Sequence, residues 1–277
     1  MMRILLIGLG KMGQNHLRVL KKLLRNMEHE FKTCDYDSDR KADYLNANHA
    51  IDDFKPTHVI IAVTTQNHRT VIDKCIANKV PHVLVEKPLV DTGDTGMYLD
   101  GNLKTKIMVG HTERYNPMVL KLQQLLGNKK IDTIICTRSG FLSEKEDYNV
   151  DKDLCIHDAD VCQLLTRKMA DQVGFTLKKI GRTVKANEAN IFVEINGTDC
   201  FFHADKKSPY KKRDIKIMGP GYFIEGDYIG QKLWVNGTEE HVTKTEPLVG
   251  ELLAFIHGKH ELTDLREAIN NLEILKE

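Results

Sequence analysis

No stretch of this 277-residue chain approaches the roughly 18 uninterrupted apolar residues that a membrane span requires; the longest candidate is HVIIAV at 58–63. A secretory leader is not expected either, since it needs a charged start followed by roughly 7 to 15 apolar residues, and here Ile4–Ile7 runs straight into Gly8. These absences predict a soluble, cytoplasmic protein without a membrane partner. None of the six cysteines (Cys34, Cys75, Cys136, Cys155, Cys162, Cys200) stands in a C-x-x-C pair, which suits reduced thiols better than a disulfide framework. An excess of one charge is missing as well: 40 Lys plus Arg face 39 Asp plus Glu, so no global field exists to hold a polyanion and nucleic acid is not expected. Low-complexity segments and internal repeats are also absent.

What is present alternates. Strand-like RILLIGLG is followed by a helical pattern from Met12 to about Met27, the strand EFKTCDYD, and a helix from about Asp39 to Ala47. The strand THVIIAV, a helix from about Asn67 to Asn78 and the strands HVLVEKP and KIMVGH complete this region. Alternating strands and helices imply right-handed crossovers and a doubly wound parallel sheet, an α/β domain over residues 1–110. Beyond it the texture is α+β: helices from about Asn116 to Leu126 and Asp153 to Arg167, then a run of strands joined by short turns such as Asn196-Gly197, then two amphipathic helices. Residues 111–277 are therefore expected to form a second domain on an open, mostly antiparallel sheet. One face of that sheet needs a cover, which suits a homodimer or homotetramer packed sheet to sheet.

The first strand ends in GLGKMG, a G-x-G-x-x-G turn opening a helix. Gly8 permits the tight turn, Gly10 lets backbone N–H groups approach a pyrophosphate, and Gly13 lets helix and strand pack closely. An acidic residue is expected about 20 residues further on; Asp35 follows Gly13 by 22. A carboxylate there accepts hydrogen bonds from a ribose diol and repels a 2′-phosphate, favouring NAD over NADP.

Two further features carry chemistry. Glu86-Lys87-Pro88 ends a strand of the parallel sheet, where doubly wound folds place ligands, and a lysine there can stabilise a developing alkoxide; Lys87 is otherwise a surface lysine. In VDKDLCIHDADVCQLL, Asp153 and His157 are four apart and share a helical face, so the imidazole can take a proton and the carboxylate can orient it. The alternative is a helix start capped by Asp151 or Asp153, with His157 on the surface. Cys155, His157 and Cys162 are close in sequence, but 155 and 157 point apart on a helix, and no metal is expected.

Together the glycine turn, the EKP tripeptide and the D-x-x-x-H helix resemble the Gfo/Idh/MocA oxidoreductases over essentially the whole chain. The resemblance implies a Rossmann domain followed by an α+β domain for substrate binding and oligomerisation. It implies cofactor contacts at Gly8, Leu9, Gly10, Lys11, Met12, Gly13, Asp35, Thr64, Asn67, His68, Glu86 and Lys87. It further implies a catalytic set of Lys87, Asp153 and His157, with Arg114, Tyr115 and Asn116 beside Lys87 and His157 as substrate contacts. GHTERYNPMVLKL at 110–122 and KKRDIKIMGPGYFIEGDYIGQKL look like the branch acting on UDP-sugars as 3-dehydrogenases. That implies an NAD-dependent enzyme oxidising C3 of a UDP-N-acetylhexosamine, with a free-sugar or inositol dehydrogenase, or a non-catalytic NAD-binding sensor, as alternatives. LSEKEDYNVDK at 142–152 departs from the family in lacking a glycine-rich stretch before the helix.

Overall fold

The computed structural model describes residues 1–90, 95, 98, 103–140, 150–258 and 262–276; most of the LSEKEDYNVDK segment lies outside them. Two compact units emerge, Met1–His111 with Leu248–Ile269, and Thr112–Pro247 with Asn270–Glu277.

In the first unit β1 (Met2–Ile7), β2 (His29–Cys34), β3 (His58–Ile61), β4 (His82–Glu86) and β5 (Lys106–Gly110) form a parallel sheet in the order β2-β1-β3-β4-β5. Ile4–Ile7, Val59–Ile61 and Val83–Val85 are all buried, because helices covering both faces leave no position on these strands for polar residues. The crossovers are α1 (Lys11–Leu23), α2 (Ala47–Phe54) and α3 (Thr65–Ala77). The helix expected over 39–47 is not formed. Tyr44 instead bridges Cys34 beside the β2 end, and the Asn46 side chain accepts from His49 N at 3.0 Å, so the cap starts α2 at Ala47.

The simple cut after residue 110 also needs correction. The chain returns to the first unit through α6 (Pro247–Ile256), whose Phe255 packs edge-on against His58 at 5.4 Å. It returns again through β14 (Thr263–Asp264), which pairs antiparallel with β5 and covers an otherwise open sheet edge.

The second unit is an eight-stranded sheet, β13-β12-β11-β10-β6-β9-β8-β7. Its strands are β6 (Thr133–Ser139), β7 (Leu177–Lys185), β8 (Glu188–Ile195), β9 (Thr198–Asp205), β10 (Lys212–Gly219), β11 (Tyr222–Asp227), β12 (Lys232–Val235) and β13 (Thr238–Glu240). Every pairing is antiparallel except β6 with β9. Asn196 and Gly197 both take positive φ, 52° and 78°, as a two-residue hairpin that continues the strand twist requires. Alternate residues such as Ile134 and Cys136, or Ile191 and Val193, turn inward to a core shared with α4 (Pro117–Leu126) and α5 (Ile156–Val173), while Phe192 and Ile180 lie exposed. The helix expected from Asp153 begins earlier and more widely, with a π-helical turn at Asp151–Cys155 ahead of α5. The remaining helix, α7 (Leu265–Leu275), crosses the division between the units.

Candidate functional site

The strand order of the first unit reverses at β1 and β3, and a crevice forms at the carboxyl ends of strands at such a reversal. The glycine turn sits there. Gly8 has φ +96°, and a Cβ on it would lie 2.5 Å from the Ala62 carbonyl carbon; a Cβ on Gly13 would collide with the Gly8 carbonyl oxygen. Both glycines are demanded by the fold. A Cβ on Gly10, in contrast, would have no neighbour within 4 Å. Gly10 caps α1 without any side-chain cap, and no acidic residue stands in the first turn, so the N–H groups there are open to an anion. Leu9 is buried, Lys11 exposed and Met12 half-buried around that space.

Asp35 is buried just past β2. Its carboxylate accepts from Leu9 N at 2.5 Å and from Asp37 N at 2.9 Å, which fixes it against the glycine turn and leaves lone pairs for a diol. Thr64 and Asn67 are exposed at the start of α3, where Asn67 Nδ2 donates to Thr64 Oγ1 at 3.1 Å. An open phosphate space, an uncapped helix start and a fixed carboxylate fit a dinucleotide.

His68 and Glu86 are both held by hydrogen bonds within the first unit. The His68 ring is buried, with Nδ1 2.9 Å from the Pro88 carbonyl and Nε2 3.2 Å from that of Val63; burial pushes its pKa down. It ties the segment after Lys87 to the end of β3. Glu86 lies 2.7 Å from His16 Nε2, joining the end of β4 to α1. Lys87 itself is half-buried at the carboxyl end of the sheet.

In the second unit the expected substrate residues Arg114 and Asn116 are tied to neighbouring side chains and backbone. Arg114 is buried and makes a bidentate pair with Asp160, Nε to Oδ2 at 2.7 Å and Nη2 to Oδ1 at 2.8 Å, while Asn271 Nδ2 donates to the same Oδ1 at 2.8 Å. Asn116 caps α4 by accepting from Met118 N at 3.1 Å, and its amide group donates to Glu113 Oε2 and the Tyr228 carbonyl, each at 3.1 Å. Both of its amide hydrogens are taken where it stands. Tyr115 is buried beside them.

Asp153 lies in the π-helical turn and His157 in the first turn of α5, both half-buried. Behind them is a charged layer. Arg138 donates Nε to Asp158 Oδ1 at 2.7 Å and Nη1 to Glu113 Oε1 at 3.0 Å. Burial raises the Asp158 carboxyl to about 6 against the pull of that guanidinium. Lys206 approaches Asp153 Oδ2 to 3.1 Å, and Arg182 donates to Asp151.

All six cysteines are free and buried, with Cys136 and Cys162 Sγ 3.9 Å apart; burial pushes the Cys136 thiol up to about 11, so these thiols are packing groups. Among the described residues one set of ligand-type atoms converges, on His16, Glu86 and Glu251 of the first unit, and within it His16 Nε2 and Glu86 Oε1 are hydrogen-bonded to each other. Sequence reasoning passed over His16 and placed Asp160 only near the face that carries Asp153 and His157. His16 shares the inner stripe of α1 with Gly13, Val19 and Leu20, and a polar side chain on an apolar stripe was the available signal. Lys206 reads in the sequence as part of a basic cluster with Lys207, Lys211, Lys212 and Arg213, either facing a diphosphate or solvated at a hairpin turn, and the structure buries it.

Comparison with known proteins follows these features. Residues 2–100 match the model of the Gfo/Idh/MocA oxidoreductase family, NAD-binding Rossmann fold. No curated protein matches the chain in sequence. Similar solved structures include UDP-N-acetylglucosamine 3-dehydrogenase GnnA from Acidithiobacillus ferrooxidans, with TM-score 0.81 and 20% identity over 99% of this chain and 95% of that one. An oxidoreductase from Agrobacterium radiobacter in complex with NAD+, L-tartaric acid and magnesium gives TM-score 0.79 at 17% identity, over 99% and 94% of the two chains. The WlbA dehydrogenase from Chromobacterium violaceum in complex with NADH and UDP-GlcNAcA gives 0.73 at 16%, over 99% and 91%. At these identities the likeness is one of fold. The matched residues 2–100 contain the glycine turn, Asp35 and Lys87, and they match the family model over its NAD-binding Rossmann fold.

Proposed function

We propose that this protein is an NAD-dependent dehydrogenase that oxidises a sugar hydroxyl to a ketone, at C3 of a UDP-N-acetylhexosamine. The observation that carries the reaction type is the fixed carboxylate of Asp35 beside the open glycine turn, at the same end of the parallel sheet as Lys87. The substrate class is supported by a fold shared along 99% of the chain with a UDP-N-acetylglucosamine 3-dehydrogenase.

Gly8 to Gly13 hold the pyrophosphate, Asp35 the adenosine ribose, and Thr64, Asn67 and Lys87 border the nicotinamide end. Bound NAD supplies the hydride acceptor. In this reading the remaining work belongs to the chain. The His157 imidazole takes the hydroxyl proton, Asp153 keeps that imidazole oriented, and the Lys87 ammonium stabilises the alkoxide as charge develops on oxygen. His16 and His68 hold Glu86 and the Pro88 carbonyl on either side of Lys87. The exposed Phe192 and Ile180 on the outer sheet face suit a homo-oligomer in which that face is covered.

Purified protein with NAD should form NADH, read at 340 nm, on addition of UDP-N-acetylglucosamine or UDP-N-acetylglucosaminuronate and not with glucose or myo-inositol. Mass spectrometry should show the product two mass units lighter. Lys87→Ala should lower turnover by about a thousandfold or more while NAD binding survives. Turnover of free polyols alone would shift the reading to a free-sugar enzyme, and near-normal turnover of Lys87→Ala would remove the lysine from the chemistry.

A further inference from the structure

Lys206 follows β9 and is only 3% exposed, with its ammonium 3.1 Å from the Asp153 carboxylate. Its backbone N–H donates to the Asn187 carbonyl at 2.8 Å, so the residue is fixed at both ends. Burying an ammonium costs several kcal/mol unless it is paired, and a surface lysine at this hairpin would avoid that cost. The same five-residue π-helical turn is held a second time, by Arg182 of β7 on Asp151. Two cations, one on β7 and one just past β9, thus grip two carboxylates of one turn. Turns of this wide kind are rare and occur often at functional sites.

Resting on the catalytic reading above, we propose that Lys206 is a positioning residue for the reaction: it fixes the Asp153 carboxylate and keeps it ionised while His157 takes a proton. The two anchors then have separate duties. Arg182 holds the turn through Asp151, whereas Lys206 acts on the carboxylate that orients the base. Among the described residues, Asp153 feels the charges of Lys206 just past β9 and Arg213 of β10, and the Arg182–Asp151 pair stands in the same turn.

A double-mutant cycle in the full-length protein tests the assignment. Lys206→Met should lower kcat about tenfold to a hundredfold, a part of what general base catalysis contributes, with the KM for NAD unchanged. Lys206→Arg should recover most of the loss. In an Asp153→Asn background, Lys206→Met should cost less than about threefold, because interacting residues are non-additive. Equal losses in both backgrounds would make Lys206 a purely structural residue and overturn the proposal.

A second readout needs no substrate and keeps this test apart from the identity of the sugar. With carbon-13-labelled aspartate, the Asp153 carboxyl titration should move to higher pH in Lys206→Met, since an adjacent cation favours the ionised form, and should stay in place in Lys206→Arg. An unmoved titration would overturn the pairing whatever the enzyme turns over. Lys206→Gln, which keeps a donor without the charge, is read in the same way if Lys206→Met does not fold.

Discussion

Gly10 and Gly13 are three residues apart and identical in type, yet the structure asks different things of them. A methyl group on Gly13 meets the Gly8 carbonyl, whereas one on Gly10 meets no protein atom within 4 Å. Gly10 has φ −65°, which any residue can adopt. Gly10→Ala should therefore keep the wild-type melting temperature and lose NAD affinity, while Gly13→Ala should lower the melting temperature itself. Thermal melts with and without NAD, together with calorimetric titration, separate the two. Unaltered NAD affinity in a stable Gly10→Ala protein would show that no phosphate occupies that space. The roles of these glycines were legible in the sequence because backbone sterics leave few residues that fit such a turn. The partners of Arg114 and Asn116 were not. An Arg or Asn at a helix start reads as a ligand contact and as a cap, and both can hold at once; the sequence does not name Asp160 and Met118 as the partners each holds within the fold.

At the scale of elements, β6 and α5 are joined through a buried ion pair that should leave a signature in pH. Asp158 accepts from Arg138 Nε at 2.7 Å, yet burial lifts its carboxyl from the ordinary 3.8 to about 6. The folded protein therefore holds a proton that the unfolded chain releases over this interval. The stability gained from this group is complete below the unfolded value and is lost as the pH rises through the folded one. A shift of roughly two units corresponds to about 3 kcal/mol. Asp158→Asn cannot titrate, so the stability of the wild type minus that of the variant should fall by up to about 3 kcal/mol between pH 4 and 7. Denaturant melts at each pH measure it, and a difference that stays flat would mean that Asp158 keeps one charge state throughout. The sequence could not announce this pair, because Arg138 lies on a strand whose alternate positions, Ile134 and Cys136, are apolar. Strand and helix types follow from local periodicity, but a charge facing inward depends on which distant element arrives to meet it. The same limit explains the helix expected over 39–47: its composition allowed a helix, and Tyr44 was drawn instead to the edge of β2.

At the scale of the whole chain, the first third shows its α/β order plainly, because buried parallel strands read as apolar runs. The return of residues 248–269 to that unit was hidden, since an amphipathic helix does not name the surface it will cover. The consequence concerns folding. Leu248, Leu252, Phe255 and Ile256 of α6 are buried, Phe255 meets His58, and β14 closes the β5 edge. Each large apolar side chain contributes about 1.5–3 kcal/mol on burial, and a whole domain is stable by only about 5–15 kcal/mol, so residues 1–111 alone lack a large part of what holds them. Although the glycine turn, Asp35 and Lys87 all lie within it, a 1–111 fragment should show no cooperative melt and only weak NAD binding. Joining residues 248–269 to that fragment through a flexible Gly/Ser linker should restore both, as measured by circular dichroism and calorimetry. A 1–111 fragment that melts cooperatively and binds NAD as the full chain does would make the returning segment an accessory to this domain and no part of its core.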